Sequence, residues 1–217
     1  EFEMRLKGLN YEEIADKGGG INNSANGVRN SSEIELFNRL KPRMDKFLKL
    51  GTTTIEAKSG YGLDLETELR MLQASSSLKS NNVSLHHTWL GAHAYPENVN
   101  KKGWNRHLID EQLPAVIDQG IAEYVDVFCE PGWFSLETTE EICRQSKLKG
   151  LKTRLHVDEF TDGGGLNLAA ELQASTADHA GYSSDDARVK ASDAGVNTAF
   201  LPGTPYVHGD SFQTDLD

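Results

Sequence analysis

Leu155-His156-Val157-Asp158-Glu159-Phe160 sets an imidazole near the end of an apolar run and a carboxylate three residues later. Imidazole suits Zn or Fe as a ligand, and a nearby carboxylate that is not itself a ligand can shuttle protons for an activated water. The same segment also fits a strand-end histidine satisfied by a backbone carbonyl. Asp178-His179 closes the next apolar run and repeats the arrangement. Neighbouring parallel strands lie about 4.8 Å apart, so His156 and His179 can meet at one site. A surface His-Asp pair is the alternative reading of the second segment. His93 follows Gly91-Ala92, small residues that let the backbone bend and present the ring inward. His86 and His87 are adjacent in a strand and face opposite sides, so at most one looks into an interior. Both, with His107 and His208, read as structural.

Other chemistries find less support. Ser59-Gly60-Tyr61-Gly62-Leu63 lacks the Lys-Ser/Thr of a phosphate loop, and Gly18-Gly19-Gly20 lacks the preceding strand of a dinucleotide fingerprint. Gly163-Gly164-Gly165 reads as the loop before a helix. Cys129 lies at a strand end and Cys143 on a helix, neither in a Cys-His setting, and no Gly-x-Ser-x-Gly elbow occurs. Metal-assisted hydrolysis is left as the leading enzyme class.

The elements that must position these residues alternate strictly. Strands are expected at 53–58, 83–90, 124–128, 152–157, 177–179 and 196–201, and helices at 66–78, 105–119, 136–148, 166–172 and 184–194. Ser135 and Ser183 or Ser184 can cap helices. Gly51, Gly150 and Gly195 each fall after a helical pattern, where a left-handed residue is wanted. Such alternation implies a parallel sheet. Polar or titratable residues follow nearly every strand, which favours a barrel over an open sheet with one switch point. Six strands do not close an eight-stranded barrel.

Composition narrows the partners. Thirty-three acidic against twenty-two basic residues in 217 give a net charge of -11, against nucleic acid, whose binding needs clustered Lys and Arg. No apolar run approaches the ~20 residues of a membrane span. Two cysteines are too few to staple a secreted scaffold of this size, and the first residues lack the apolar stretch of a signal peptide, so a cytoplasmic location is expected. No linker divides the chain.

Taken together, Glu1 to Gly8, Tyr11 to Ile14, Gly18-Gly19-Gly20-Ile21, Lys58 to Glu68, Leu90-Gly91-Ala92-His93, Asp126-Val127-Phe128-Cys129-Glu130, His156-Val157-Asp158-Glu159 and Asp178-His179 resemble the imidazolonepropionase family. These amidohydrolase-superfamily enzymes open the ring of 4-imidazolone-5-propanoate to N-formimino-L-glutamate in histidine degradation. The likeness extends from the first residue to Pro202. It implies an α/β fold, a metal-dependent (β/α)8 TIM barrel with strands two to seven present, and one incomplete domain over residues 1–217. It also implies a divalent metal, Zn or Fe, with His156 as the strand-five ligand. His179 and Glu159 become the catalytic residues: His179 positions or deprotonates the water, and Glu159 returns a proton to the leaving ring nitrogen. Tyr61, His93 and Glu159 become substrate-binding residues. The implied partners are the small-molecule substrate imidazolonepropionate and a second subunit, a homodimer when full length.

The sequence departs from the family's pattern in four places. It has no His-x-His, no Arg shortly before Glu1, and no strand-eight Asp, since Thr214-Asp215 follows Leu201-Pro202-Gly203 too closely. Residues 22–28 are unusual as well. One ligand of four does not hold a metal firmly. The chain is therefore expected to be a central portion, inactive alone. Another cyclic amidohydrolase or deaminase, and a non-catalytic barrel remnant, are the rival readings.

Overall fold

Alternation along each strand builds the architecture. Thr54–Lys58 (β1), Ser84–Ala92 (β2), Tyr124–Cys129 (β3), Lys152–Val157 (β4), Thr176–His179 (β5) and Asn197–Ala199 (β6) form one parallel sheet in chain order. Successive side chains point to opposite faces. One set, including Trp89, Val125, Val127, Leu155, Val157 and Ala177, is buried in a single core with the helices. The other set carries Lys58, Asp126, Arg154, His156 and Asp178. A parallel sheet covered on both faces is ordinarily apolar throughout, so the charges mark the inner face of a barrel wall. These are six successive staves of a (β/α)8 barrel. The structure, a computed structural model, describes residues 2–9, 13, 14, 17, 19–80 and 82–208, and only the backbone at 22 and 206–208. Glu1, Tyr11, Gly18, Thr214-Asp215 and the His208 side chain lie outside that description.

The described helices are Phe2–Leu6 (α1), Gly20–Arg29 (α2), Glu33–Lys49 (α3), Leu65–Ser76 (α4), Lys101–His107 (α5), Leu113–Gln119 (α6), Leu136–Leu148 (α7), Gly165–Leu172 (α8), Asp185–Asp193 (α9) and Gly203–His208 (α10). Ser135 and Ser184 cap α7 and α9 by accepting from the N–H groups of Thr138 and Ala187. Gly51, Gly150 and Gly195 take the left-handed conformation expected, with φ of 94°, 94° and 74°.

Three differences from the sequence reading have physical causes. The expected helix at 105–119 begins at Lys101 and contains a π turn over Leu108–Gln112. Pro114 lies two residues beyond it and has no N–H to continue the helical ladder, so a wider turn absorbs the mismatch. The last strand ends at Ala199, two residues early. Helices α2 and α3 precede the first strand-helix unit. Ser32 and Glu35 close a capping box on α3, and its row Phe37, Leu40, Met44, Leu48 packs on Leu78, Val83 and Leu85.

Candidate active site

Register places the reactive groups on the inner face. Phe128 on β3 lies opposite His156 on β4, and His156 opposite Asp178 on β5. His179 pairs with Val157, whose side chain is in the helix-facing core, so simple alternation would turn its ring away from the site. The backbone reverses that. His179 and Ala180 take φ of 72° and 52°, left-handed values that non-glycine residues adopt at a cost of about 1–2 kcal/mol each. The His179 ring thereby comes within 5.4 Å of the His156 ring, centroid to centroid.

Glu159 reaches the same place from the loop after β4. Its Oε2 is 3.4 Å from His179 Nε2. The loop is held by Glu130, whose carboxylate accepts the N–H groups of Glu159, Phe160 and Thr161 and the Thr161 hydroxyl. Asp158, fully buried, serves the scaffold instead. It accepts from the N–H groups of Gly163, Gly165 and Leu166 and from the Ser183 hydroxyl, so it anchors the start of α8.

His93 and Tyr61 complete one wall. The His93 ring lies edge-on to Tyr61 at 5.0 Å and to Phe128 at 6.0 Å, and 6.3 Å from His156. Its Nδ1 donates to the Gly60 carbonyl at 2.9 Å, which leaves Nε2 as the acceptor nitrogen. The 59–63 loop that supplies this carbonyl is fixed by buried Glu68 on α4, which accepts from the N–H groups of Gly60, Gly62 and Leu63. Gly62 packs so closely that a Cβ would sit 2.8 Å from the Glu68 nitrogen. Arg29 on α2 clamps the loop from outside through the Gly62 and Leu63 carbonyls and Asp64.

Beneath the histidines lies a charge network. Lys58 Nζ is 2.6 Å from Asp126 Oδ2, 2.7 Å from Asp178 Oδ2 and 3.5 Å from Glu56. Asp126 Oδ1 accepts from His156 Nδ1 at 3.0 Å. Arg154 donates to Glu56 and lies over the Tyr124 ring. Burial opposes the charges of Lys58, Asp126 and His156, but their partners outweigh it. Lys58 is held above the usual lysine value by Asp126, Asp178 and Glu56, and Asp126 well below the carboxylate range by His156 and Lys58. His156 is raised by Asp126 against its own burial. Where no such partner compensates, burial wins. His93 and His179 fall to about 4, and Glu159 rises to about 7.

The group that could hold a metal, among the described residues, is Asp126, His156 and Asp178, whose donor atoms lie within 4.8 Å of one another. Both carboxylates are already bonded to the Lys58 ammonium. His156 is different: with Nδ1–H committed to Asp126, Nε2 is the nitrogen left to coordinate an ion, which would bind there in place of a proton, the arrangement found behind most metal-bound histidines. The residues therefore fit a divalent ion through His156 Nε2, with Asp126 behind the ring.

His156, His179, Glu159, His93 and Tyr61, singled out from sequence, are thus brought together. His86 and His87 are not; they bond Glu123 and Ser75 respectively, and His107 pairs with Glu111. Sequence reasoning gave no role to Lys58, Asp126 and Glu68. The signal was available in part: Glu56, Lys58 and Asp126 are charges inside strand patterns, which only a polar inner face tolerates.

No protein-family model matches the sequence. Curated relatives do. An imidazolonepropionase of Shewanella sp. (strain ANA-3) is 43% identical over 100% of this chain, and one of Clostridium tetani 42% identical over 95%. The resemblance to imidazolonepropionases is borne out over the whole chain. The chain spans about half the length of these imidazolonepropionases, 54% and 50% respectively. Among solved structures, an adenine deaminase from Arthrobacter aurescens superposes with a TM-score of 0.70 at 14% identity, over 93% of this chain and 61% of that one. An N6-methyl-AMP deaminase from Arabidopsis thaliana gives 0.61 at 11%, over 94% and 68%. At such identities the likeness is one of fold, and it agrees with the barrel wall seen here.

Proposed function

We propose that this chain carries the substrate-binding and proton-handling part of an imidazolonepropionase, hydrolysing 4-imidazolone-5-propanoate to N-formimino-L-glutamate. The observation that carries the reading is the convergence of His156, His179, Glu159, His93 and Tyr61 at the C-terminal ends of the strands, in a chain whose whole length matches that family. A divalent ion, Zn or Fe, bound in part by His156 would supply Lewis acidity and an activated water. His179, neutral at pH 7, accepts the water proton. Water oxygen bonds to the ring carbonyl carbon, the adjacent C–N bond breaks, and the carbon becomes a carboxylate. Glu159, which burial raises to about 7 so that a sizeable fraction is protonated near neutrality, gives its proton to the departing ring nitrogen. The 3.4 Å between His179 and Glu159 lets the proton taken by one resupply the other. His93 and Tyr61 fix the ring in the pocket they wall.

The same reading includes one incomplete barrel domain over residues 1–217, a cytoplasmic location and a homodimeric full-length protein that binds neither nucleic acid nor membrane. No described helix is long and apolar enough to cross a bilayer. The test is turnover by the purified full-length protein of 4-imidazolone-5-propanoate, guanine, cytosine and adenine. Formiminoglutamate as product supports the proposal. Deamination of a nucleobase alone, or no turnover by a metal-loaded protein, overturns it.

A further inference from the structure

We propose that Lys58 is a positioning residue for this site: through the Asp126 carboxylate it fixes the His156 ring with Nδ1 protonated and Nε2 presented to a divalent ion. The inference rests on His156 as a metal ligand, the reading given above.

Asp126 is wholly buried, and its two carboxylate oxygens face different partners. The Lys58 ammonium fixes which oxygen faces the imidazole. It occupies Asp126 Oδ2 at 2.6 Å and so keeps Oδ1 an acceptor for His156 Nδ1–H at 3.0 Å. Its remaining donors go to Asp178 at 2.7 Å and toward Glu56 at 3.5 Å, which hold the amine on the site axis. Asp178 is in register with His156, so one ammonium neutralises the carboxylates on both flanking strands. The donor atoms of Asp126, His156 and Asp178 would otherwise converge on a cation. With Lys58 in that place, both carboxylates hold the ammonium and Asp126 orients the imidazole, instead of the two ligating the ion. No sequence motif announces the relay, since its members lie 68 and 120 residues from Lys58.

The test uses the full-length protein and its Lys58→Met and Lys58→Arg variants. Two quantities are read: Zn affinity, by competition with a chromophoric chelator, and the His156 tautomer, by imidazole 15N shifts of metal-free protein at alkaline pH. The wild type should show Nδ1–H. Lys58→Met should lose that tautomer and bind Zn roughly ten- to a hundredfold more weakly, while Lys58→Arg retains most of both. Wild-type affinity and tautomer in Lys58→Met would overturn the proposal. If that variant does not fold, Nε2–H in the wild type still overturns it, and Nδ1–H together with its retention in Lys58→Arg supports it. A wild type that binds no Zn, yet whose Nδ1–H is lost in Lys58→Met, supports the hold of Lys58 on the ring and overturns the metal reading instead.

Discussion

The Glu130 carboxylate accepts the backbone N–H of Glu159 at 3.1 Å, so a side chain at the end of β3 sets where the acid on the β4 loop stands. It also satisfies two further N–H groups and a hydroxyl. Glu130→Ala would take the acceptor from these partly buried donors, at a cost of up to about 1–3 kcal/mol for each one left unpaired. The expected result is a loss on the order of 1–2 kcal/mol in urea unfolding, with Glu130→Gln milder because its carbonyl still accepts. An unchanged midpoint in Glu130→Ala would show that the loop is held by something else.

Much of the barrel wall was legible because the signals were local. The helix at Leu136–Leu148 is found where expected, since Ser135, the apolar period and Gly150 all agree. The first helices were not, although Ser32 and Glu35 carry a capping signature, because their role is to cover β1 and clamp the 59–63 loop, a long-range matter. His156 and Glu159 were readable as a pair within one segment. His179 stands beside His156 although strand alternation alone would turn it outward; its left-handed φ, absent from any residue pattern, brings it in. Lys58 escaped because its partners sit on two other strands.

Glu159 gives a pH dependence with a definite sign. Burial raises its folded value to about 7 from an ordinary 4.5. Between those values the folded chain binds more protons than the unfolded one, so the contribution of Glu159 to stability falls as pH rises through that window. Glu159→Gln cannot titrate. Relative to wild type, metal-free Glu159→Gln should gain stability from pH 4.5 to 7 by up to about 1.4 kcal/mol per pH unit, and level off above. Parallel urea midpoints for the two proteins over that range would refute it.

The two cysteines should be chemically silent in the folded protein. Cys129 and Cys143 are both free and buried, 3% and 1% exposed. Burial raises the Cys129 thiol to about 11 and Cys143 higher still, so the reactive thiolate is scarce at neutral pH. Titration with a chromogenic disulfide should give no fast-reacting thiol in the native protein and both after denaturation. A native thiol reacting at the rate of a free peptide cysteine would contradict the packing.

Edge strands set the behaviour of the 217-residue chain expressed alone. Among the described residues, β1 pairs with β2 only and β6 with β5 only, so each presents a row of unpaired backbone groups. Beside β1 lies a cavity of about 660 Å³ whose walls include Leu36, Leu40, Met44, Phe47, Ile55 and Leu85, a mostly apolar surface open to a partner strand. Exposed edges of this kind recruit further strands. The chain alone should self-associate, with an average mass by static light scattering that rises with concentration. Longer forms that add flanking sequence at both ends should scatter as a defined species. A concentration-independent monomer of the 217-residue chain, melting cooperatively, would mean that the edges are protected by contacts outside the described residues.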